Sequence, residues 1–308
     1  MSQKLILVAD PGIDTTFAIA LAMHDPGIEL IGLLPCAGNV DATQATLNIQ
    51  ILIDQLDPVR WPRTATAFAV SYEYDGTALH GPDGLGGTHF PARTRHQHQP
   101  ADKVLAEMIH EHAHEICVVC LGPLTTLARA LDRDPEIAGL IRKLVVVGGT
   151  WKEPGNAGPT AEFHFALDPD AAQRVFRANM NPHVIPLDVT RKLILSPTEL
   201  LELPNPDSKT CQFLRKIVPF GIRASSNLYG IEGFHLKDVL GVATIALAGS
   251  ITYEPRPVNI ETRGEFTRGM MVVDARKQTQ ELNNAQIATD LALGEIRQYI
   301  GRVLKQAP

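Results

Sequence analysis

Cysteine is scarce in this chain. There are four in 308 residues, Cys36, Cys117, Cys120 and Cys211, too few for a disulfide framework. A basic run is also missing. Lys and Arg total 28 against 34 Asp and Glu, a net charge of −6. A mildly acidic chain without such a run gives little purchase to a phosphate backbone or an anionic lipid surface, so neither nucleic acid nor membrane is expected as a partner. Long apolar runs are absent too. The longest, residues 239–251, is interrupted by Gly241, Thr244 and Ser250 and falls short of the ~18–20 residues of a membrane span. The opening Met-Ser-Gln-Lys-Leu-Ile-Leu-Val reads as a strand start and not as a signal peptide. A reduced, cytoplasmic protein is the expectation.

The rest of the composition is that of a globular chain. Hydrophobic residues make up 44% and charged residues 20%, which excludes wholesale disorder, collagen and coiled coil. No linker or internal repeat divides the sequence, so a single domain over 1–308 is expected. Strand-length apolar runs at 4–9, 29–34, 65–70, 116–121, 143–147 and 183–186 alternate with helix-period segments at 14–24, 42–56, 103–114, 124–131 and 170–177. Two late strands (258–262, 270–273) and a closing helix (283–304) follow. This rhythm predicts an α/β fold, an open, mostly parallel sheet with helices on both faces. Residues 71–99, 151–159 and 219–237 break the rhythm and read as long loops, which in compact domains tend to carry function.

Several short constellations stand where strands end. Asp10-Pro11-Gly12-Ile13-Asp14-Thr15 follows the first strand. Two carboxylates across such a turn can converge on one cation or one sugar; equally, they can serve as turn former and helix cap. Gly38-Asn39 follows the second strand and is by itself a turn signal. In His80-Gly81-Pro82-Asp83-Gly84-Leu85-Gly86-Gly87 the glycines permit close approach of a ligand, and a histidine such as His80 can donate or accept a proton near neutral pH; a plain surface loop reads the same way. Leu121-Gly122-Pro123 ends another strand, where the Leu121 carbonyl can meet a hard cation or merely form a turn. Asn156, Glu162, Phe163 and His164 offer polar groups suited to sugar hydroxyls, or to loop hydrogen bonding. Asp238 opens an apolar helix, as a ligand or as a cap.

Two further patterns invite metal readings. His110-Glu111-His112-Ala113-His114 fits H-E-x-x-H, but it closes a polar helix end without an obvious third ligand. Cys117-Val118-Val119-Cys120 fits C-x-x-C inside an apolar strand, where the two thiols fall on opposite faces and read as core.

Together the blocks resemble the inosine–uridine-preferring nucleoside hydrolase family. The family opens with a D-x-D-P-G-x-D-D run, which here reads Val8-Ala9-Asp10-Pro11-Gly12-Ile13-Asp14-Thr15. Gly38-Asn39, the run from His80 to Gly86, Leu121-Gly122-Pro123-Leu124-Thr125, Gly155-Asn156, Ala161-Glu162-Phe163, Pro186-Leu187-Asp188-Val189-Thr190 and Thr267-Arg268-Gly269-Met270 follow in family order. The resemblance implies a nucleoside hydrolase-like sheet fold and calcium-assisted hydrolysis of an N-ribosidic bond to base and ribose, by a homodimer or homotetramer. It implies Asp10, Thr15, Leu121 and Asp238 around calcium, with Asp10 as base for the attacking water. Asp14, Asn39, Asn156, Glu162, Phe163, His164, Tyr229, His235 and Asp238 would contact substrate, and Asp14, Lys237 and His80 would join the chemistry.

Departures from the pattern bear on that chemistry. The family's first Asp is Val8. The second Asp of its D-D pair is Thr15, which removes a charge from the calcium site and implies weaker binding. Its His before Asp238 is Lys237, and the Asn two residues beyond its Glu is His164. A nucleoside or other ribosyl substrate remains the leading expectation. The alternatives are a non-catalytic member that binds a ribose-containing ligand or a protein partner, and a metal-independent ribosidase using Lys237.

Overall fold

The computed structural model describes residues 2–91, 99–276 and 278–308. Its strands are β1 (Gln3–Ala9), β2 (Ile28–Pro35), β3 (Cys117–Leu121), β4 (Lys143–Val147), β5 (His183–Ile185), β6 (Ile194–Leu195), β7 (Phe234–His235), β8 (Ile251–Arg256), β9 (Val258–Ile260), β10 (Met271–Val273) and β11 (Ala285–Leu291). Seven of them form one sheet in the order β2-β1-β3-β4-β5-β11-β8. Every neighbouring pair is parallel except β11 and β8. This is the α/β fold the alternating rhythm predicts.

β1 from Leu5 onward, β3, and β4 from Leu144 onward are apolar because both faces are covered. Leu5, Leu7 and Ala9 pack with helices Ile13–His24, Ala42–Leu56, Lys209–Tyr229, Val239–Ala246 and Leu293–Gln306 on one side. Ile6 and Val8 pack with Ala101–Glu111, Thr125–Arg133 and Pro169–Phe176 on the other. Cys117 belongs to the first core and Cys120 to the second, so the C-x-x-C thiols lie on opposite faces. Local signals set the helix starts. The Asp41 side chain accepts from the Gln44 N–H at 2.8 Å, a cap worth about 1 kcal/mol.

After β1 the chain moves to β2 on one side, then crosses to β3 on the other. The order reverses between β1 and β3, and a crevice opens there beyond their carboxyl ends. Asp10 directly follows β1, and Leu121 is the last residue of β3.

Four sequence expectations are corrected. Residues 65–70 are not a strand. Arg63 exchanges backbone bonds with Ile31 and Leu33 at the sheet edge, and Thr66 then pairs with Gln99 and Ala101. Pro62, with no N–H to donate, borders that single contact. The expected loop 219–237 is helical as far as Tyr229. Pro219 lies inside helix Lys209–Tyr229 and costs one backbone bond, but Phe213, Leu214, Ile217, Val218 and Ala224 bury a continuous face that holds the helix together. The expected closing helix 283–304 is two elements. Ala285–Leu291 inserts between β5 and β8 as a strand, and helix Leu293–Gln306 begins only afterwards. The expected loop 71–99 contains the short helix Thr77–His80; its residues 92–98 lie outside the described residues.

Candidate active site

The carboxyl ends of β1 and β2, the Leu121-Gly122 turn, the segment after β4 and the start of helix Val239–Ala246 deliver a buried polar cluster. Asp10, Asp14, Thr15, Asn39, His80, Glu162, His164 and Asp238 are all buried. Asn39 fixes Asp10 twice. Its backbone N–H donates to Asp10 Oδ2 at 3.1 Å, and its Nδ2 donates to the Asp10 carbonyl at 2.9 Å. A Cβ on Gly38 would overlap Asp10 Oδ2, and one on Gly12 would meet Asn39 Nδ2 at 2.7 Å and His80 Nδ1 at 2.9 Å. Both turns therefore require glycine for close approach.

Two cations face the carboxylates. Lys237 Nζ lies 3.7 Å from Asp14 Oδ2, with its side chain 14% exposed. His164 Nε2 lies 3.5 Å from Asp10 Oδ2, while its Nδ1 donates to the Val147 carbonyl at 3.0 Å. Burial disfavours charge on His164, but Glu162 and Asp10 outweigh it and push its pKa up to about 10. Burial likewise opposes charge on Lys237, and Asp14 and Asp238 reverse the effect, raising its pKa. Burial would raise Asp14; Lys237 and His80 pull it below the usual carboxylate range. Asp10 is raised by burial, with His164 opposing. Asp238 is raised well above a usual carboxylate by burial and by Asp14.

His80 has the opposite character to His164. Its Nδ1 accepts the Ile13 N–H at 3.1 Å, and burial holds its pKa down to about 4. The ring is neutral near pH 7 and presents only Nε2 as a donor.

The remaining expected residues divide by task. Glu162 Oε2 accepts the backbone N–H groups of Gly149, His164 and Phe165 at 3.0–3.3 Å, so that oxygen caps helix Phe163–Leu167. Asn156 Oδ1 accepts the Phe163 N–H at 2.8 Å. The Phe163 ring lies 5.8 Å from that of His164. Asn156, Tyr229, His235 and Lys237 line a cavity of about 500 Å³ with apolar walls from Leu79, Leu187 and Phe234. Burial and Lys237 hold the His235 pKa down to about 4.

The fit of a cation is read from orphaned atoms. Asp10 Oδ1, Asp14 Oδ1 and Asp238 Oδ1 are buried without a hydrogen-bond partner. Thr15 Oγ1 donates to Asp238 Oδ2 at 2.6 Å and lies 3.4 Å from the Asp10 carbonyl. A Cβ on Gly122, next to Leu121, would meet the Asp10 N–H nitrogen at 3.0 Å, so the end of β3 also abuts Asp10. Two carboxylates and one hydroxyl are hard oxygen donors of the kind calcium takes, fewer than its usual six to eight. The H-E-x-x-H pattern has no such geometry. Its helix stops at Glu111, His114 sits at φ 64°, and His110 is tied to Asp134. Among the described residues no group of three or more His, Cys, Asp or Glu side chains could hold a metal.

Two supporting residues, Asn48 and Arg191, carry no sequence expectation, and Asp188 stands in a family block without an assigned role. Asn48, fully buried on a helix, donates to the carbonyls of Pro11 and Asp83 and ties the first turn to the glycine-rich loop. Asp188 accepts the N–H groups of Trp151 and Lys152. Arg191 holds Glu153 and the carbonyls of Pro154 and Gly155. An amide on the apolar stripe of helix Ala42–Leu56 was a visible signal for Asn48; the partners of Asp188 and Arg191 emerge only from the fold.

No described helix is long and apolar enough to cross a membrane. The sequence model described as inosine-uridine preferring nucleoside hydrolase matches residues 5–298. The chain is 33% identical over 315 residues to the non-specific ribonucleoside hydrolase RihC of Klebsiella pneumoniae subsp. pneumoniae, covering all of both chains. It is 32% identical over 269 residues to uridine nucleosidase 1 of Arabidopsis thaliana, covering 85% of this chain and 79% of that one. Among solved structures, a plant nucleoside hydrolase, PpNRh1, superposes with a TM-score of 0.93 at 26% identity over the full length of both chains. A purine-preferring ribonucleoside hydrolase from Gardnerella vaginalis gives 0.91 at 27% identity over 99% of each. The chain belongs to the inosine–uridine preferring nucleoside hydrolase family.

Proposed function

We propose that the protein hydrolyses the N-glycosidic bond of a ribonucleoside to free base and ribose. The observation that carries this reading is the convergence of three buried carboxylates at the β1/β3 switch point. Each has one oxygen without a partner, and the cluster adjoins a cavity of about 500 Å³ through Lys237. Asp10 Oδ1 accepts the proton of the attacking water, and Asn39 keeps that carboxylate oriented. Asp14, held ionised by Lys237, accepts a ribose hydroxyl. Asn156, Glu162 and His164 border the sugar, and the base lies toward Tyr229 and His235, with Phe163 packing behind His164. The anionic surroundings favour oxocarbenium-like charge on the ribose. Asp10, Asp238, the Thr15 hydroxyl and the Leu121 carbonyl would hold calcium, which when bound lowers the pKa of water and anchors hydroxyls. His80 Nε2 and Lys237 are the groups available to the departing base, the first as a donor and the second as a fixed positive charge.

A specific observation favours a second reading of the same reaction. Lys237 and His164 already place two positive charges within 4 Å of Asp14 and Asp10, so the carboxylates are partly neutralised without a metal.

Ribose release from adenosine, guanosine, inosine, uridine and cytidine, with excess calcium and with EDTA, tests both. Release that needs calcium supports the metal-assisted form, and release indifferent to EDTA supports the lysine-dependent form. No ribose from any nucleoside contradicts hydrolysis and favours a non-catalytic ribosyl-binding protein. A homodimer or homotetramer is part of the proposal and is checked by light scattering.

A further inference from the structure

A second cavity, of about 470 Å³, lies away from the carboxylate cluster. Gln3, Lys143 and His183, the first residues of β1, β4 and β5, contribute to its wall. These are the opposite ends of the strands from those that carry Asp10 and Gly148. Thr244, Ile245 and Leu247 close it from the far end of helix Val239–Ala246, the helix that Asp238 opens. Ile251 and Tyr253 complete an apolar and aromatic side.

The polar lining is cationic and contains no Asp or Glu. Arg142 stands exposed at the rim; its Nη2 donates to Gln3 Oε1 at 2.6 Å and contacts Cys117 Sγ at 2.9 Å. Lys143 is half-buried, and burial pulls its pKa down. Its one hydrogen bond among the described residues is a long contact of 3.5 Å to the Thr244 carbonyl. A lysine near the end of a helix is favourable there, but this contact leaves two ammonium donors for another partner. His183 packs edge-on to Tyr253 at 4.9 Å, and its buried Nδ1 has no hydrogen-bond partner. Among the described residues neither Lys143 nor His183 forms an ion pair. A half-buried ammonium without a carboxylate carries a desolvation cost that no ion pair offsets. An anion entering the cavity would relieve that cost.

We propose that this cavity binds a small organic oxyanion. The charged group sits against Lys143, His183 and the rim arginine, and the apolar body rests on Ile245, Leu247 and Ile251. The volume greatly exceeds that of a bare phosphate, and the apolar wall rewards a ring or short chain beside the charge. Phosphate monoesters and carboxylates share this chemistry.

The test is calorimetric titration of the full chain with phenyl phosphate and with benzoate. Saturable binding of one molecule per chain is expected. Tighter phenyl phosphate marks the site as one for phosphate esters, and tighter benzoate as one for carboxylates. Lys143→Gln should weaken the preferred probe about tenfold through loss of a charge-assisted hydrogen bond, while Lys143→Arg retains it. Ala248→Phe, at an exposed lining position, should block the cavity with the charges intact and serves if Lys143→Gln fails to fold. No saturable binding of either probe overturns the proposal. So does equal affinity in wild type and in the folded variants, which would place the probe elsewhere.

Discussion

The two ends of the central sheet are electrostatic opposites. At the carboxyl ends, Asp10, Asp14, Glu162 and Asp238 are buried together, and His164 and Lys237 balance part of their charge. At the amino ends, Arg142 and Lys143 line a cavity without any carboxylate. The first end joins opposite charges in a dry setting, where each group fixes the protonation of its neighbour. The second leaves its cations uncompensated. Parallel strands explain the separation: the connections that leave their carboxyl ends converge at a switch point and bring distant polar residues together, while Gln3, Lys143 and His183 lie at the opposite ends of their strands.

The largest expected effect comes from breaking the balance at the acidic end. Lys237→Met leaves Asp14 buried without its cation and should cost about 3 kcal/mol of stability, measured by denaturant unfolding. If stability is unchanged, Lys237 is not the counter-charge of Asp14. Gly38→Ala, which drives a Cβ onto Asp10, should cost about 2 kcal/mol and lower ribose release along with melting temperature. A variant as active and as stable as the wild type would show that the turn has slack.

Thr15→Asp sharpens the comparison by adding charge where the calcium donors are sparse. It should tighten calcium about tenfold, or ~1.4 kcal/mol, because affinity follows ligand charge. Unchanged affinity by calorimetry would mean that Thr15 does not face the ion. A further expected effect is on pH dependence. The folded pKa of His80 is about 4 against an ordinary 6.5, so between those values the unfolded chain binds the extra proton. The contribution is fully present above pH 6.5 and is lost as pH falls toward 4. His183, also lowered to about 4, adds in the same direction at the other end. His80→Asn should therefore flatten part of the acid limb of a stability–pH curve; an unchanged limb would show that His80 is already charged in the folded state.

The sequence made the early sheet legible because β1, β3 and β4 are doubly buried and read as continuous apolar runs. The candidate site was legible where short motifs coincide with a strand end, as at Asp10 and Asn39, or with a helix start, as at Asp238. Pro219 and the stretch 283–304 were misread for one reason: tertiary burial overrode local signals, sustaining a helix through proline and turning Ala285–Leu291 into an interior strand. The pairings of Lys237 with Asp14 and His164 with Asp10 join residues distant in sequence, which no local spacing encodes. The cationic cavity was invisible for the same reason, since Arg142, His183 and Tyr253 meet only through the sheet order.

The central claim is that the carboxylate cluster performs hydrolysis with Asp10 as base. Its most direct test compares ribose release by wild type and Asp10→Asn at saturating nucleoside. The variant should stay folded and lose roughly a thousandfold in rate, within the range of a lost general base. A folded Asp10→Asn protein that releases ribose as fast as the wild type would contradict it.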